Sequence, residues 1–165
     1  KITENLEKYE FANVGTYLTN FIWTDFCSWY IEMSKLSLLD EAIADNTRQV
    51  LVYVLKQIVV LLHPFAPFIS DEIYQAIPGN LGSIHKESWP NIPSKYLNEK
   101  VATDMDSIIE VITLVRNLRK TENIANSIKL KISVYDKSEN GRLVRSFNEN
   151  LNYLYKKNRH CLFIK

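Results

Sequence analysis

The chain has 165 residues, 46% of them hydrophobic and 24% charged, with a formal net charge of +1, which suits one sizeable core or one bundle with a small appendage. Four glycines and five prolines argue against a loop-rich or all-β chain. No apolar run reaches the ~18 residues of a membrane span, since Tyr53, Lys56 and Gln57 break the longest one, Val50 to Leu62.

Charge is distributed unevenly along the chain. Residues 1–80 hold 5 Lys+Arg against 10 Asp+Glu, whereas residues 116–165 hold 12 against 4. A polyanion would therefore meet the C-terminal third, and the alternative is a solvated lysine-rich surface. Cys27 and Cys161 form no CxxC pair and read as free thiols of a reducing compartment. The first residue is Lys and the pattern opens in mid-helix, so the expectation is a segment of a longer protein.

Lys1 to Glu10 reads as the last turns of a helix, with Asn13 as a cap for the next. A long helix is expected from Val14 to Met33. Within it, FIWTDFCSWYIEMSK places Phe21, Ile22, Phe26, Trp29, Tyr30 and Met33 at spacings of three and four. That is the period of an α-helix with one buried face, and the stretch is expected to be the central core helix. Ser34 to Asp45 reads as a connection, with Asp45-Asn46-Thr47 capping a second helix from Arg48 to Leu62.

Pro64 ends that helix, and Pro67 suits the first turn of another, whose inner face would be Ile69, Ile73 and Tyr74. His63 could serve as a base or a metal ligand, or it could be a helix-terminal histidine bonded to a carbonyl. Pro78-Gly79 stops the helix. Gly82 to Pro93 is extended, and Trp89 is suited to cover the end of a bundle.

Asn98 to Glu122 returns to helical period on Val101, Met105, Ile108, Ile112 and Val115. Arg116, Arg119 and Lys120 gather at its C-terminus. They could answer the helix dipole or grip phosphates. Ile128 to Tyr135 alternates like a strand, Arg142 to Lys157 reads as a helix, and Cys161 to Ile164 as a second strand, which would make a small β-α-β unit.

Two blocks, FANVGTYLTNFIWTDFCSWYIEMSK and TRQVLVYVLKQIVVLLHPFAPFISDEIYQAIP, resemble the anticodon-binding domain of class I aminoacyl-tRNA synthetases of the Ile/Leu/Val/Met group. HPFAPFISDEIY is shared across the group. FIWTDFCSWYIEMSK, SIHKESWP and VITLVRNLRKTENIANSIKLKI are similar to the valyl enzymes. Two positions depart from that pattern: Thr16, where many relatives have Arg, and Ser28, where they have Asp.

The resemblance implies a mainly α fold: a helical bundle (residues 1–93), its last helix (94–122) and a small C-terminal α/β appendage (123–165) that contacts the anticodon stem. It implies a cytoplasmic protein whose partners are tRNA(Val) and the upstream catalytic and editing domains of the same chain, with no membrane role. The catalytic signatures of the HIGH and KMSKS type do not occur here, so this chain alone is expected to be non-catalytic. No cofactor is expected in it, and ATP and Mg belong to the full-length enzyme. Unpaired bases would be splayed onto rings or guanidinium planes and read at their edges. The tRNA-binding candidates are Asn20, Lys35 and Arg48 on the bundle, with Arg116, Arg119 and Lys120 for the stem. The competing readings are the same domain of an isoleucyl or leucyl enzyme, and a helical protein-interaction domain without an RNA role.

Overall fold

In the computed structural model, residues 1–80, 82–125 and 128 are described in full, and residues 131–134 and 161–164 by their backbone. The chain divides into two units, Lys1–Ile92 and Pro93–Lys165.

The first unit is helical. Helix α1 (Ile2–Glu7) leads into α2 (Phe11–Thr19). Between them the chain reverses at Tyr9, whose φ of 58° is left-handed. The Glu10 amide donates to the Asn5 carbonyl at 2.8 Å and the Tyr9 amide to Leu6 at 3.0 Å, which satisfies the last carbonyls of α1. A ring in that conformation is uncommon. It is compensated by edge-to-face packing of Tyr9 on Phe11, which in turn meets Phe65, at 6.1 and 6.4 Å between centroids. Asn13 does not cap α2. It lies inside the first turn and donates to the Glu10 side chain at 2.9 Å.

The aromatic stretch departs from expectation. Asn20–Ile31 forms a π-helical segment that joins α2 to α3 (Glu32–Ser37) without a break. Its hydrogen bonds run five residues back, so each turn is wider than in an α-helix. The wider turn gives successive rings room, and it also smears the stripe predicted from a 3.6 period. Phe26 is buried and stacks on Tyr30 at 6.0 Å, while Trp23 is 67% exposed. This segment is therefore not the centre of the core.

The core lies one helix later. Helix α4 (Glu41–Leu62) starts well before Arg48, because Asp40 caps it by accepting from the Ala42 amide at 3.1 Å. Asp45, Asn46 and Thr47 sit inside the helix, and the Thr47 hydroxyl donates back to the Ile43 carbonyl. The β-branched end of α4 supplies Val59 and Val60 to a buried cluster with Tyr74, Ile77 and Ile84. Tyr74 comes from α5 (Pro67–Ala76), which has its proline in the first turn, and Ile77 follows directly after it. Ser70, Ile73, Tyr74 and Ile77 face inward, whereas Ile69 is exposed. Gly79, at φ 88°, and the Asn80 side chain, donating to the Tyr74 carbonyl, close the helix.

The segment after Gly82 returns across α4 and α5 as a short 3-10 turn, Ile84–Lys86. Two clamps hold it. Asp71 accepts from the Ile84 amide at 2.9 Å and from Ser83 Oγ at 3.3 Å. Glu87 meets Lys56 Nζ at 2.8 Å and accepts from the Tyr74 hydroxyl, with Lys56 lying 5.5 Å over the Tyr74 ring. Beyond it, Trp89 Nε1 donates to Thr3 Oγ1 at 3.0 Å, so this segment ties back to α1.

In the second unit a 3-10 turn (Ser94–Tyr96) precedes α6 (Glu99–Thr121), capped by the Asn98 side chain on the Val101 amide. Ile108 and Ile112 are buried along it. The helix ends on Asn123 at φ 52°, with the Ile124 amide donating to the Arg119 carbonyl at 2.8 Å. Strands β1 (Lys131–Val134) and β2 (Cys161–Ile164) pair in parallel, Lys131 opposite Cys161. The expected helix from Arg142 to Lys157 lies outside the described residues. Among the described residues, no helix is long and apolar enough to cross a membrane. Helices dominate the fold, as the sequence predicted.

Candidate nucleic-acid interface

Six side chains are candidates, three in each unit. In the first unit, Asn20 is exposed where α2 passes into the π segment. Lys35 is exposed on α3 and pairs with Glu32 one turn earlier. Arg48 is exposed on α4 and pairs with Asp45, also one turn earlier. The two cationic side chains are 61% and 60% exposed. Such solvent-facing pairs contribute about 0–1 kcal/mol. A phosphate can therefore replace either acid at little cost.

In the second unit the three cations separate. Arg116 and Lys120, one turn apart on α6, are exposed. Arg119 is only 4% exposed, and its guanidinium donates to the carbonyls of Ala125 at 2.8 Å and Ile128 at 2.6 Å. The fork fixes the chain where it leaves α6. The set that can reach a phosphate from solvent is accordingly Arg116 and Lys120, because Arg119 is buried with both terminal nitrogens turned to backbone carbonyls.

The histidines also differ from expectation. His63 does not end its helix on a carbonyl. Its Nδ1 lies 2.7 Å from Ser70 Oγ and its Nε2 lies 3.2 Å from His85 Nδ1. Ser70 is fully buried, and its hydroxyl donates back to the Ala66 carbonyl at 2.7 Å. That leaves the Ser70 oxygen as acceptor for a proton on His63 Nδ1, and His63 Nε2 as acceptor from His85. A buried serine whose proton is directed at its own helix cannot attack a substrate, so this chain of bonds joins α4, α5 and the returning segment. Nothing in the order of residues signals it, since His63 and His85 lie 22 positions apart. Among the described residues, no group of three or more His, Cys, Asp or Glu could hold a metal ion.

Electrostatics reinforces the two clamps. Accepting from the Ile84 amide holds the Asp71 carboxyl below its ordinary range. Bonding to Lys56 and then to Tyr74 does the same for Glu87. In return, the bond to Glu87 raises both Lys56 and Tyr74. These groups tie the returning segment to α4 and α5 and are not among the six candidates.

Comparison with known proteins agrees with this architecture. Residues 1–134 match the family described as the anticodon-binding domain of tRNA ligase. The chain belongs to this family. Its relatives include the valine–tRNA ligase of Bacillus licheniformis, 43% identical over 155 residues, which is 93% of this chain and 17% of that protein. The valine–tRNA ligases of Bacillus subtilis and Listeria innocua are 40% and 39% identical over the same 93% of the chain, again 17% of each relative. The chain thus spans about one sixth of the length of the curated relatives it matches. The family match runs from α1 to the end of β1, across both units.

Proposed function

We propose that this chain is the part of a valine–tRNA ligase that recognises the anticodon loop and stem of tRNA(Val), and that it supports aminoacylation carried out elsewhere in the enzyme. The observation that carries the reading is family membership across residues 1–134, together with valine–tRNA ligases as relatives at about 40% identity along nearly the whole chain. The exposed Asn20, Lys35 and Arg48 in one unit, and Arg116 and Lys120 in the other, offer the chemistry such recognition needs. Cations hold the phosphates and give the salt dependence, and a carboxamide can read a base edge. Catalytic and editing domains of the same polypeptide would be its partners, ATP with Mg would act in the catalytic domain, and the setting is the cytoplasm.

Binding by this chain alone should be weak, because residues 1–80 carry a net negative charge. Contacts at the acceptor end raise the effective concentration of the anticodon in the intact enzyme. The test is a titration at low salt with a tRNA(Val) transcript and with transcripts whose second and third anticodon letters, A and C, are exchanged. The reading expects the exchanged transcripts to bind more weakly. Equal affinity for an isoleucine or leucine anticodon would move the assignment to a sister enzyme, and affinity indifferent to salt would remove the RNA role.

A further inference from the structure

His63 caps the C-terminal end of α4, and His85 lies in the returning 3-10 turn. Their rings meet at 78° with centroids 4.6 Å apart, and His63 Nε2 lies 3.2 Å from His85 Nδ1. With the centroids so close for that separation, the nitrogens do not meet head-on. The rings are bent towards one another, as two ligands on neighbouring corners of one ion are. Two nitrogens each ~2.0–2.1 Å from a tetrahedral zinc ion lie roughly 3.3–3.4 Å apart, within about 0.2 Å of the distance here. The tautomer of His63 is also set. Ser70 Oγ directs its proton to the carbonyls of Ala66 at 2.7 Å and Pro67 at 3.0 Å, so His63 Nδ1, 2.7 Å from that oxygen, carries the proton and Nε2 keeps its lone pair. Such a partner on the far nitrogen is the usual support of a metal-ligating histidine. His85 is exposed, and the Asp71 carboxylate, bound to the Ile84 amide, is near enough for its charge to act on His85.

From this geometry we propose that His63 Nε2 and His85 Nδ1 form a two-histidine site for a divalent transition ion, zinc above all, with water in the remaining positions. Imidazole nitrogen suits zinc, copper and nickel, whereas magnesium and calcium take oxygen ligands. Coordination needs the lone pair of His85 Nδ1. The neutral ring supplies it by moving its proton from Nδ1 to Nε2 through solvent, so no proton is lost overall. A small rotation of the exposed His85 ring turns both lone pairs onto one point. The ion then takes the place of one hydrogen bond and joins the end of α4 to the returning segment. Among the described residues there is no third protein ligand. The site is therefore open and exchanges its ion with solution, unlike a closed four-ligand structural site. It involves none of the six candidates for RNA contact, so it stands apart from the function proposed above.

The experiment titrates zinc chloride into the metal-free 165-residue chain by calorimetry near neutral pH. A Cys27→Ser/Cys161→Ser background keeps thiols, folded or unfolded, from competing for the ion. One ion per chain is expected. His85→Ala, at an exposed position, should abolish that binding. Ser70→Ala, which releases the His63 tautomer, should weaken it about 10- to 100-fold. His160→Ala should leave it unchanged. Zinc should raise the melting temperature of the chain with both histidines and not that of His85→Ala. In nitrogen-15 spectra of the chain with both histidines, zinc should shift His63 Nε2 and His85 Nδ1 and leave the His85 proton on Nε2. That readout decides the matter even if a variant loses its fold, which circular dichroism reports. No binding at millimolar zinc, equal binding by a folded His85→Ala chain, or imidazole signals that zinc does not move would each overturn the site. Loss of the ion in His160→Ala would overturn it too, by moving the ligand to the end of the chain.

Discussion

The Arg119 guanidinium donates to the carbonyl of Ile128 across 2.6 Å. With its second bond, to Ala125, it holds the chain that leaves α6 towards β1. A charge-assisted bond of this kind contributes about 1.5–3 kcal/mol. Replacing Arg119 by Lys keeps the charge and loses the fork, and should destabilise the second unit by about 2 kcal/mol. Urea unfolding followed by circular dichroism measures it, and an unchanged midpoint would show that the fork is not what secures the turn.

Arg116 and Lys120 should behave in the opposite way. Both are exposed, so Arg116→Ala/Lys120→Ala should leave the urea midpoint nearly unchanged, within about 0.5 kcal/mol. If they hold stem phosphates, the slope of log affinity against log salt should flatten by about one to two. Titrations with tRNA(Val) at several salt concentrations read that slope directly.

Glu87 joins α4, α5 and the returning segment through Lys56 and Tyr74. Glu87→Gln keeps the shape but removes the charge. It should destabilise the first unit by about 1–2 kcal/mol, less than a fully buried pair because the Lys56 and Glu87 side chains are 29% and 27% exposed. Tyr74→Phe removes only the hydroxyl donor and should be the milder change. A double-mutant cycle between Lys56→Met and Glu87→Gln would isolate the pair, and a coupling near zero would reduce the clamp to packing.

The same groups set how stability depends on pH. Asp71 and Glu87 have folded-state values below the ordinary carboxylate range. Their contribution is therefore present above about pH 4, where unfolded carboxylates ionise, and is lost as pH falls through the depressed folded values. Lys56 and Tyr74 are raised. Their contribution is present below about pH 10 and is lost as pH rises through the folded values. Thermal melts across pH 2–12 should show a plateau that falls at both ends, and Glu87→Gln should soften both falls.

Ser28 offers a local test of the π segment. Its hydroxyl donates to the Trp23 carbonyl. Ser28→Ala removes one bond and should cost about 0.5–1.5 kcal/mol. Ser28→Asp puts an acceptor against an acceptor and should cost more. If Asp instead raises the melting temperature, the hydroxyl is incidental and the wide turns have another cause.

Some of this was legible in the sequence and some could not be. Pro67 and Asn98 marked their helices because a proline and a capping side chain act on their own neighbours. Both strands were legible, the first from the alternation over Ile128 to Tyr135 and the second as the short run Cys161 to Ile164. Asp40 was missed as a cap because Asp45-Asn46-Thr47, deeper in the helix, shows the same residue types. The π segment was read as the core helix because its apolar spacing fits a 3.6 period, and nothing in a list of residues reports which turn is wider. At the candidate interface the cationic residue types were visible. The split between Arg116 and Arg119 depends on carbonyls several residues downstream, which only the folded chain brings under the guanidinium.

The parallel register of β1 with β2 has a consequence for synthesis. Neighbouring strands that run the same way cannot be joined by a tight hairpin, so among the described residues Val134 meets its strand partner only once Ile164 has been made. On the ribosome, α1 to α5 can close through the Trp89–Thr3 bond while β1 still waits. A polypeptide released before residue 161 would thus carry a finished bundle and an unsatisfied strand edge, the kind of surface that recruits a second chain.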